Sequence, residues 1–339
     1  MARGPGLSQR SIQKTMRTRT YAPWRTLIRW SVSITCCAFC GFVNAQSIER
    51  KAAVAAGGSI DSGNASLGWS LGQAASGTYA ADELITAGVQ QPDEIRLTIN
   101  MRALLDGPYR EASELMDDGL RTSALLPLHE PFTALGYTHS GGGGEQLHPS
   151  ALSVSGPDAV VDWVLIELRA PDGVTLMATR SAVVQRDGDV VGMDGESPVE
   201  LPALPSDYRI AIHHRNHLPV LTASVIPLAQ GLNSIDFTNG SAATYGNEAQ
   251  RLRGSVRLLW AGDVTGDGTI KYVGEDNDRD PILQAIGGSV PTNTSSGYVP
   301  EDVNLDGVVK YVGEDNDRDP ILQTIGGSVP TNTRTQQVP

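Results

Sequence analysis

Cysteine is absent from most of this chain. Its three cysteines, Cys36, Cys37 and Cys40, all lie within the first 45 of 339 residues. The residues beyond them can form neither a disulfide nor a thiolate metal site, and they hold no thiol nucleophile. Several catalytic motifs are missing as well: there is no H-E-x-x-H, no G-x-S-x-G, no P-loop and no G-x-G-x-x-G after a predicted strand. The sequence therefore lacks the common protease, hydrolase and nucleotide-binding signatures.

Basic residues are also scarce beyond position 45. The first 45 residues carry seven of the 26 lysines and arginines and no acid, so the rest of the chain has 38 acids against 19 bases. A surface this negative repels phosphate backbones and anionic lipid headgroups. The composition argues against nucleic acid or an anionic membrane as the partner.

Long apolar runs are lacking, with one short exception near the amino terminus. A basic start is followed by 14 mostly apolar residues from Trp30 (WSVSITCCAFCGFV) and then by Asn44 and Ala45. This order is typical of a secretory signal peptide, and 14 residues are too few to span a bilayer comfortably. We therefore expect a signal peptide over 1–45, cleaved after Ala45, and a secreted or cell-surface protein with no membrane span after cleavage. A retained signal anchor is the alternative.

Residues 262–333 contain two copies of one acidic unit. Residues 271–294 and 310–333, which lie 39 positions apart, differ only at Ala285 and Thr324. Each copy opens on D-x-[TN]-x-D-G-x-[IV], the first half of a calcium-binding loop. Two nearly identical loops indicate that the same chemistry is used twice.

Calcium takes six to eight oxygen ligands, and alternate positions of one short loop can supply them. The predicted ligands at loop positions 1, 3, 5 and 7 are Asp263, Thr265, Asp267 and the Thr269 carbonyl in the first copy, and Asp302, Asn304, Asp306 and the Val308 carbonyl in the second. Residues 262–333 carry 13 acids against four bases. Because such repulsion destabilises a compact state unless cations neutralise it, we expect two bound calcium ions.

The acid expected to complete each calcium site lies later in the sequence than in a standard calcium-binding loop. Position 12, usually a bidentate acid, is glycine in both copies. We expect an extended loop in which Asp278 or Asp280 supplies the closing carboxylate of the first copy, and Asp317 or Asp319 that of the second. Asp280 and Asp319 also have the form of a helix N-cap, since proline follows each of them.

A short helix is predicted after each loop, over Ile282–Ile286 and Ile321–Ile325. Neither helix can bury its apolar face alone. We therefore expect the two helices to pack together, joined by Ser295–Pro300, with Tyr272 and Tyr311 near the seam.

These repeats resemble dockerin modules, which pair two calcium loop–helix units. The resemblance covers residues 259–333 and is specific in the first eight loop positions. It implies a calcium-dependent module that would bind a cohesin-like protein. Phrases such as DWVLIELR, HRNHL and NDRDPIL…GGSVPTNT are similar to those of secreted surface proteins of the Bacteroidetes, which implies an extracellular location.

The middle of the chain has the pattern of strands. Residues 95–103 alternate apolar and polar side chains. Further strands are predicted over Ala159–Arg169, Val174–Arg180, Tyr208–His213 and Leu221–Pro227, with one or two helical turns within Leu104–Leu126 and a mobile loop over Ser140–Glu145. Many short strands between Gly, Pro and Asp turns predict a mainly β fold, namely an antiparallel β-sandwich of the immunoglobulin-like or jelly-roll-like type, with Trp163 in its core.

The predicted organisation follows from these patterns. It comprises a signal peptide (1–45), a small β-rich segment (46–94), a β-sandwich domain (95–258), the dockerin-like calcium repeats (259–333) and a tail (334–339).

Polar residues of the middle region give no clear catalytic constellation. His213 and His214 face opposite sides of a strand, so we interpret them and His217 as strand-end or surface histidines rather than zinc ligands. The acids of this region, Asp162, Glu167, Asp187 and Asp189, are expected on turns and sheet edges.

Two classes of function remain. The favoured one is a non-catalytic, calcium-binding extracellular protein whose β-sandwich binds a glycan or a surface protein, and whose dockerin-like module serves stabilisation or attachment. The alternative is a secreted polysaccharide-degrading hydrolase, or its accessory subunit, with catalytic residues within 95–258. An activity screen of that region against polysaccharides and peptides separates the two classes.

The amino-terminal pattern predicts export with cleavage after Ala45. Amino-terminal sequencing of the secreted protein should begin at Gln46, because the small residues Val43 and Ala45 precede that bond. Recovery of the uncleaved hydrophobic segment in the membrane fraction would instead establish the signal-anchor alternative.

Overall fold

The computed structural model describes residues 96–339 and four strands nearer the amino terminus. The predicted signal peptide lies outside the described residues. The chain is mainly β, with 34% strand and 9% helix, and its sheets are antiparallel with one parallel pairing. The predicted mainly β class is therefore confirmed.

The four amino-terminal strands form two hairpins. Strand β1 (Ala56–Asp61) pairs with β2 (Ser66–Leu71), and β3 (Gly77–Ala80) pairs with β4 (Leu84–Ala87), both antiparallel. They belong to a compact unit that ends at Gln90, within the segment that the sequence predicts to be β-rich.

Residues 91–339 form a second compact unit. Its first strands are β5 (Leu97–Arg102), β6 (Tyr109–Arg110), β7 (Leu115–Met116), β8 (Val160–Arg169), β9 (Leu176–Gln185), β10 (Asp189–Val191), β11 (Val199–Leu201), β12 (Ser206–His213), β13 (Val220–Leu221), β14 (Ile226–Leu228) and β15 (Gly231–Asp236). The later strands are β16 (Arg251–Arg253), β17 (Val256–Leu258), β18 (Thr269–Lys271), β19 (Thr294–Ser296), β20 (Val308–Lys310) and β21 (Thr333–Thr335). The helices are α1 (Gly119–Thr122), α2 (Arg279–Ala285) and α3 (Arg318–Thr324), and Pro149–Ser153 form a 3-10 turn.

The principal sheet has nine strands, in the order β11-β5-β10-β9-β8-β12-β13, with β14 also paired to β12 and β15 paired in parallel to β5. Strand β8 lies near its centre, and nine of its ten residues are buried. A strand buried on both faces needs no alternation of apolar and polar residues. Trp163 is fully buried there, as predicted, and its indole Nε1 donates to the carbonyl of Pro127 at 2.9 Å.

Two predicted strands differ from the observed ones. The strand expected from Val174 begins at Leu176, because the Asp172 carboxylate accepts the amides of Val174 and Thr175 and holds them in a turn. The strand expected over Leu221–Pro227 is divided into β13 and β14, since the amide of Ala223 leaves the sheet and donates to the carbonyl of Ala243.

Three segments that the sequence predicts as a tail, a linker and a mobile loop make specific contacts in the structure. The tail contributes to β21, which pairs with β18, and Arg334 stacks 3.8 Å from the ring centroid of Trp260. The linker Ser295–Pro300 contributes to β19, which pairs with β20. The loop Ser140–Glu145 is anchored at both ends, because the Ser140 amide donates to Thr179 and the Glu145 side chain is buried against Arg180.

No helix in the described residues is long and apolar enough to cross a membrane.

Candidate calcium centres

The two loop–helix units share one apolar core, as the sequence predicts. Helices α2 and α3 contribute Ile282 and Ile321, both fully buried, to a single cluster with residues of β18 and β20. The partly buried Tyr272 and Tyr311 pack against this cluster. Each tyrosine ring also faces an arginine of its own unit, with 5.2 Å between the guanidinium carbon and the ring centroid. The helices therefore stabilise each other, because each covers the apolar residues of its partner unit.

The first loop buries its leading carboxylate. Asp263 is 6% exposed, and its Oδ2 accepts the amide of Gly268 at 3.2 Å. Its Oδ1 is buried without a hydrogen-bond partner. Gly268 has φ +77°, a left-handed conformation that favours glycine and allows the turn. The Asp267 carboxylate accepts the amide of Thr269 at 2.8 Å, so it folds back over the loop.

Asp278 lies inside the first loop, although it is 15 residues further along the chain. Its Oδ1 accepts the amides of Val264 (2.8 Å) and Thr265 (3.0 Å), and its Oδ2 accepts the amide of Lys271 (2.8 Å). The Thr265 hydroxyl also lies 3.2 Å from Asp278 Oδ1. This fully buried carboxylate therefore joins the two ends of the loop.

Asp280 faces away from the loop. Its carboxylate accepts hydrogen bonds from Arg279 (2.8 Å) and Asn277 (2.9 Å), and its side chain is 48% exposed. The helix also begins earlier than expected, at Arg279, with Asp278 as the N-cap. The Asp278 side chain makes no capping bond, because loop amides occupy both its oxygens. The predicted N-cap role of Asp280 is therefore wrong.

The second loop repeats this arrangement. Asp302 is fully buried, and its Oδ2 accepts the amide of Gly307 at 2.9 Å. Asp317 takes the place of Asp278, since it accepts the amides of Val303 (2.7 Å) and Lys310 (2.8 Å). Asp306 and Asp319 are placed as in the first copy, since Asp306 accepts the Val308 amide at 2.7 Å and Asp319 is paired with Arg318 and Asn316. Two contacts differ: Asn304 Oδ1 accepts the Asp306 amide at 2.9 Å, whereas Thr265 contacts Asp278, and Asp302 Oδ1 also accepts the Asp306 amide, at 3.2 Å.

Burial raises the pKa of the four buried loop carboxylates, those of Asp263, Asp278, Asp302 and Asp317. The pKa of Asp263 rises to about 7 because of burial and the charges of Asp278 and Asp267. The pKa of Asp302 rises to about 6, mainly by burial. That of Asp317 rises to about 8, by burial and the charge of Asp302. Without a cation, the charged form of these groups is disfavoured.

The residues present fit a hard cation. Within the described part of the chain no three His, Cys, Asp or Glu side chains already form a metal-ready cluster, and backbone amides occupy most carboxylate oxygens of the loops. The donor set nevertheless consists of carboxylate, hydroxyl, amide and carbonyl oxygens, which suit calcium. Asp263 Oδ1, buried without a partner, is the kind of atom that a cation satisfies. The type of these donors therefore suits calcium, although their present hydrogen bonds leave few oxygens free.

A buried polar cluster lies beside the loops, where β8 and the end of β12 meet. It consists of Asp162, His214, Arg215, His217 and Tyr298. Asp162 Oδ2 lies 3.1 Å from His214 Nε2 and accepts Arg215 Nε at 3.0 Å, and Asp162 Oδ1 accepts the Tyr298 hydroxyl at 2.7 Å. Burial would raise the pKa of Asp162, but Arg215, His214 and Tyr298 lower it to about 2.

This cluster corrects two expectations. Asp162 and Glu167 lie within β8 and are buried rather than on turns or edges, because each is paired with an arginine, Asp162 with Arg215 and Glu167 with Arg169. His213 lies 3.1 Å from Glu167 and His214 lies 3.1 Å from Asp162, so the two neighbouring rings have different partners. They are not surface residues, however, since all three histidines are at most 9% exposed. The available signal was the polar run HHRNH directly after the apolar residues Ile210–Ile212.

Comparison with known proteins adds no assignment: no family model matches the chain, and no match was found among the curated proteins or the solved structures.

Replacing Asp162 with Asn should destabilise the protein by about 3–5 kcal/mol, because Arg215 would remain buried without a counter-charge. Chemical denaturation of the wild type and the variant measures this difference. The pKa of Asp162 lies below the value of roughly 3.9 for an unfolded aspartate. Its contribution is therefore present above about pH 4 and is lost as the pH falls toward about 2.

The matched control is Asp158→Asn, which changes an exposed aspartate in the turn before β8. This variant should unfold as the wild type does. An unchanged free energy of unfolding for Asp162→Asn would show that the cluster does not stabilise the fold.

Proposed function

We propose that this protein is a secreted or cell-surface, non-catalytic calcium-binding protein. In this proposal residues 259–333 form a dockerin-like pair of units that binds two calcium ions. The observation that carries the proposal is the burial of Asp263 and Asp302 in two equivalent loops, next to further carboxylates and with Asp263 Oδ1 left without a partner. Buried charges require compensation, and calcium supplies it to carboxylate oxygens.

Asp278 and Asp317 are the acids that we propose close the loops. Both are fully buried and bridge the start and end of their own loop. Asp280 and Asp319, the alternatives from sequence, are occupied by neighbouring arginine and asparagine side chains. The remaining proposed ligands are the side chains of Asp263, Thr265, Asp267, Asp302, Asn304 and Asp306 and the carbonyls of Thr269 and Val308.

We propose that the principal sheet belongs to a β-sandwich whose role is to bind a glycan or a surface protein. A cleft of about 300 Å³ next to the first calcium loop supports this role. Leu135, Tyr137 and Thr265 line it, so that a ligand would touch both the β domain and the loop. Apolar and aromatic walls with a few polar groups are typical of ligand sites. A cohesin-like protein remains the proposed partner for attachment.

The hydrolase alternative gains little from the buried polar cluster. Asp162 and His214 have the composition of an acid–base pair, but both side chains are fully buried. A general acid or base must come within hydrogen-bond reach of the substrate, and a buried pair beneath Tyr298 cannot do so. A stabilising role therefore accounts better for this pair.

Calorimetric titration of the protein with calcium should give two ions per chain, with dissociation constants at or below about 10⁻³ M. Asp267→Ala should abolish binding in its own loop and weaken the second, and Asp306→Ala should do the reverse. The reason is that both loops rest on one apolar core and that coupling between two sites is reciprocal.

Asp172→Ala is the control, because Asp172 is an exposed turn acid outside the repeats. It should bind two ions as the wild type does. The proposal fails if the wild type binds no calcium at millimolar concentration. Unchanged affinity of the surviving site in both loop variants would mean that the two loops are independent.

A further inference from the structure

Asn216 lies between the two candidate calcium loops and touches both. It follows the end of β12 and is 1% exposed. Its carbonyl oxygen accepts the amides of Gly262 at 3.0 Å and Asp263 at 3.1 Å. Its main chain therefore fixes the first position of the first loop.

The side chain of Asn216 fixes the second loop. Its Nδ2 donates to the carbonyl of Pro300 and to the carbonyl of Asp302, both at 2.8 Å. Asp302 is the first position of the second loop, as Asp263 is of the first. One buried residue is thus hydrogen-bonded to equivalent points of two loops that are 39 positions apart in the sequence.

His217 sets the orientation of the Asn216 amide. The Gly107 amide donates to His217 Nε2 at 3.1 Å, so the proton of this imidazole is on Nδ1. His217 Nδ1 lies 2.8 Å from Asn216 Oδ1, which directs the Nδ2 group of the amide toward the two carbonyls. Desolvation by burial lowers the pKa of His217 well below its usual value, in accord with a neutral ring.

The buried polar cluster attaches Asn216 to the β domain. Arg215 is paired with Asp162 of β8 and also donates to the carbonyl of Val299, close to the second loop. Its guanidinium carbon lies 4.4 Å from the centroid of the Tyr298 ring. A displacement of either loop would therefore be transmitted to the end of β12 and to β8.

We propose that Asn216 is a positioning residue for both calcium sites and couples them to the β domain. The inference rests on the proposed calcium function. It means that the calcium affinity of the repeats depends on a residue of the β domain. By reciprocity, calcium bound in the loops should stabilise β8 and β12.

The direct test is Asn216→Leu in the full chain, titrated with calcium by calorimetry. Leucine keeps a similar branched shape but cannot donate to the carbonyls of Pro300 and Asp302. Because the carbonyls of Pro300 and Asp302 would lose their donor, the second site should lose about tenfold in affinity. The first site keeps its contacts with the Asn216 main chain and should lose less, through its coupling to the second, while the stoichiometry stays at two.

Asn233→Leu is the matched control. Asn233 lies on β15 and donates through Nδ2 to the carbonyls of Thr98, Ala229 and Gly231. The change removes the same kind of hydrogen bonds without touching either loop, so both calcium affinities should equal those of the wild type. Wild-type affinity of both sites in Asn216→Leu, or equal losses in the two variants, would overturn the proposal. Absence of binding by the wild type would instead refute the calcium function itself.

Amide hydrogen exchange of the wild type keeps the test decisive if Asn216→Leu does not fold. Calcium should slow exchange in β8 and β12 as well as in the loops, when compared with protein in chelator. The hairpin β16–β17, which forms a two-stranded sheet separate from the principal one, should change least. Protection confined to residues 259–339 would contradict a coupling through Asn216.

Discussion

The burial of several carboxylates within two small loops is the constraint on which the carboxyl-terminal part of the molecule depends. Asp263, Asp278, Asp302 and Asp317 are each at most 6% exposed. Backbone amides satisfy many of their oxygens, but an amide carries no net charge to compensate the buried one. Burial accordingly raises the pKa of all four acids. A bound cation would compensate the buried negative charge and hold the loops closed.

The loops do not rest on their own helices alone. Asn216 is hydrogen-bonded to the first residue of both, and the ion pair of Arg215 with Asp162 holds this segment against the central strand of the principal sheet. Removing one partner of such a buried ion pair strongly lowers the free energy of unfolding. The loops and the sheet are therefore joined by one hydrogen-bond network, within the compact unit of residues 91–339.

Local patterns in the sequence predicted the mainly β class, the buried Trp163 and both short helices. These features depend on short-range periodicity. The pairing of Asp162 with Arg215, the contacts of Asn216 and the pairing of the tail with β18 join residues that are 53, 86 and 64 positions apart. No short-range pattern encodes such contacts. The burial of Asp278, in contrast to the partly exposed Asp280, likewise depends on where the helix begins.

Calcium binding in the loops can be observed in a crystal structure of the protein grown with calcium. We expect two anomalous-scattering peaks per chain, each about 2.3–2.6 Å from carboxylate oxygens. One peak should lie between Asp263 and Asp278, and the other between Asp302 and Asp317. Peaks on Asp280 and Asp319, or loops that keep their amide hydrogen bonds and bind no ion, would contradict this expectation.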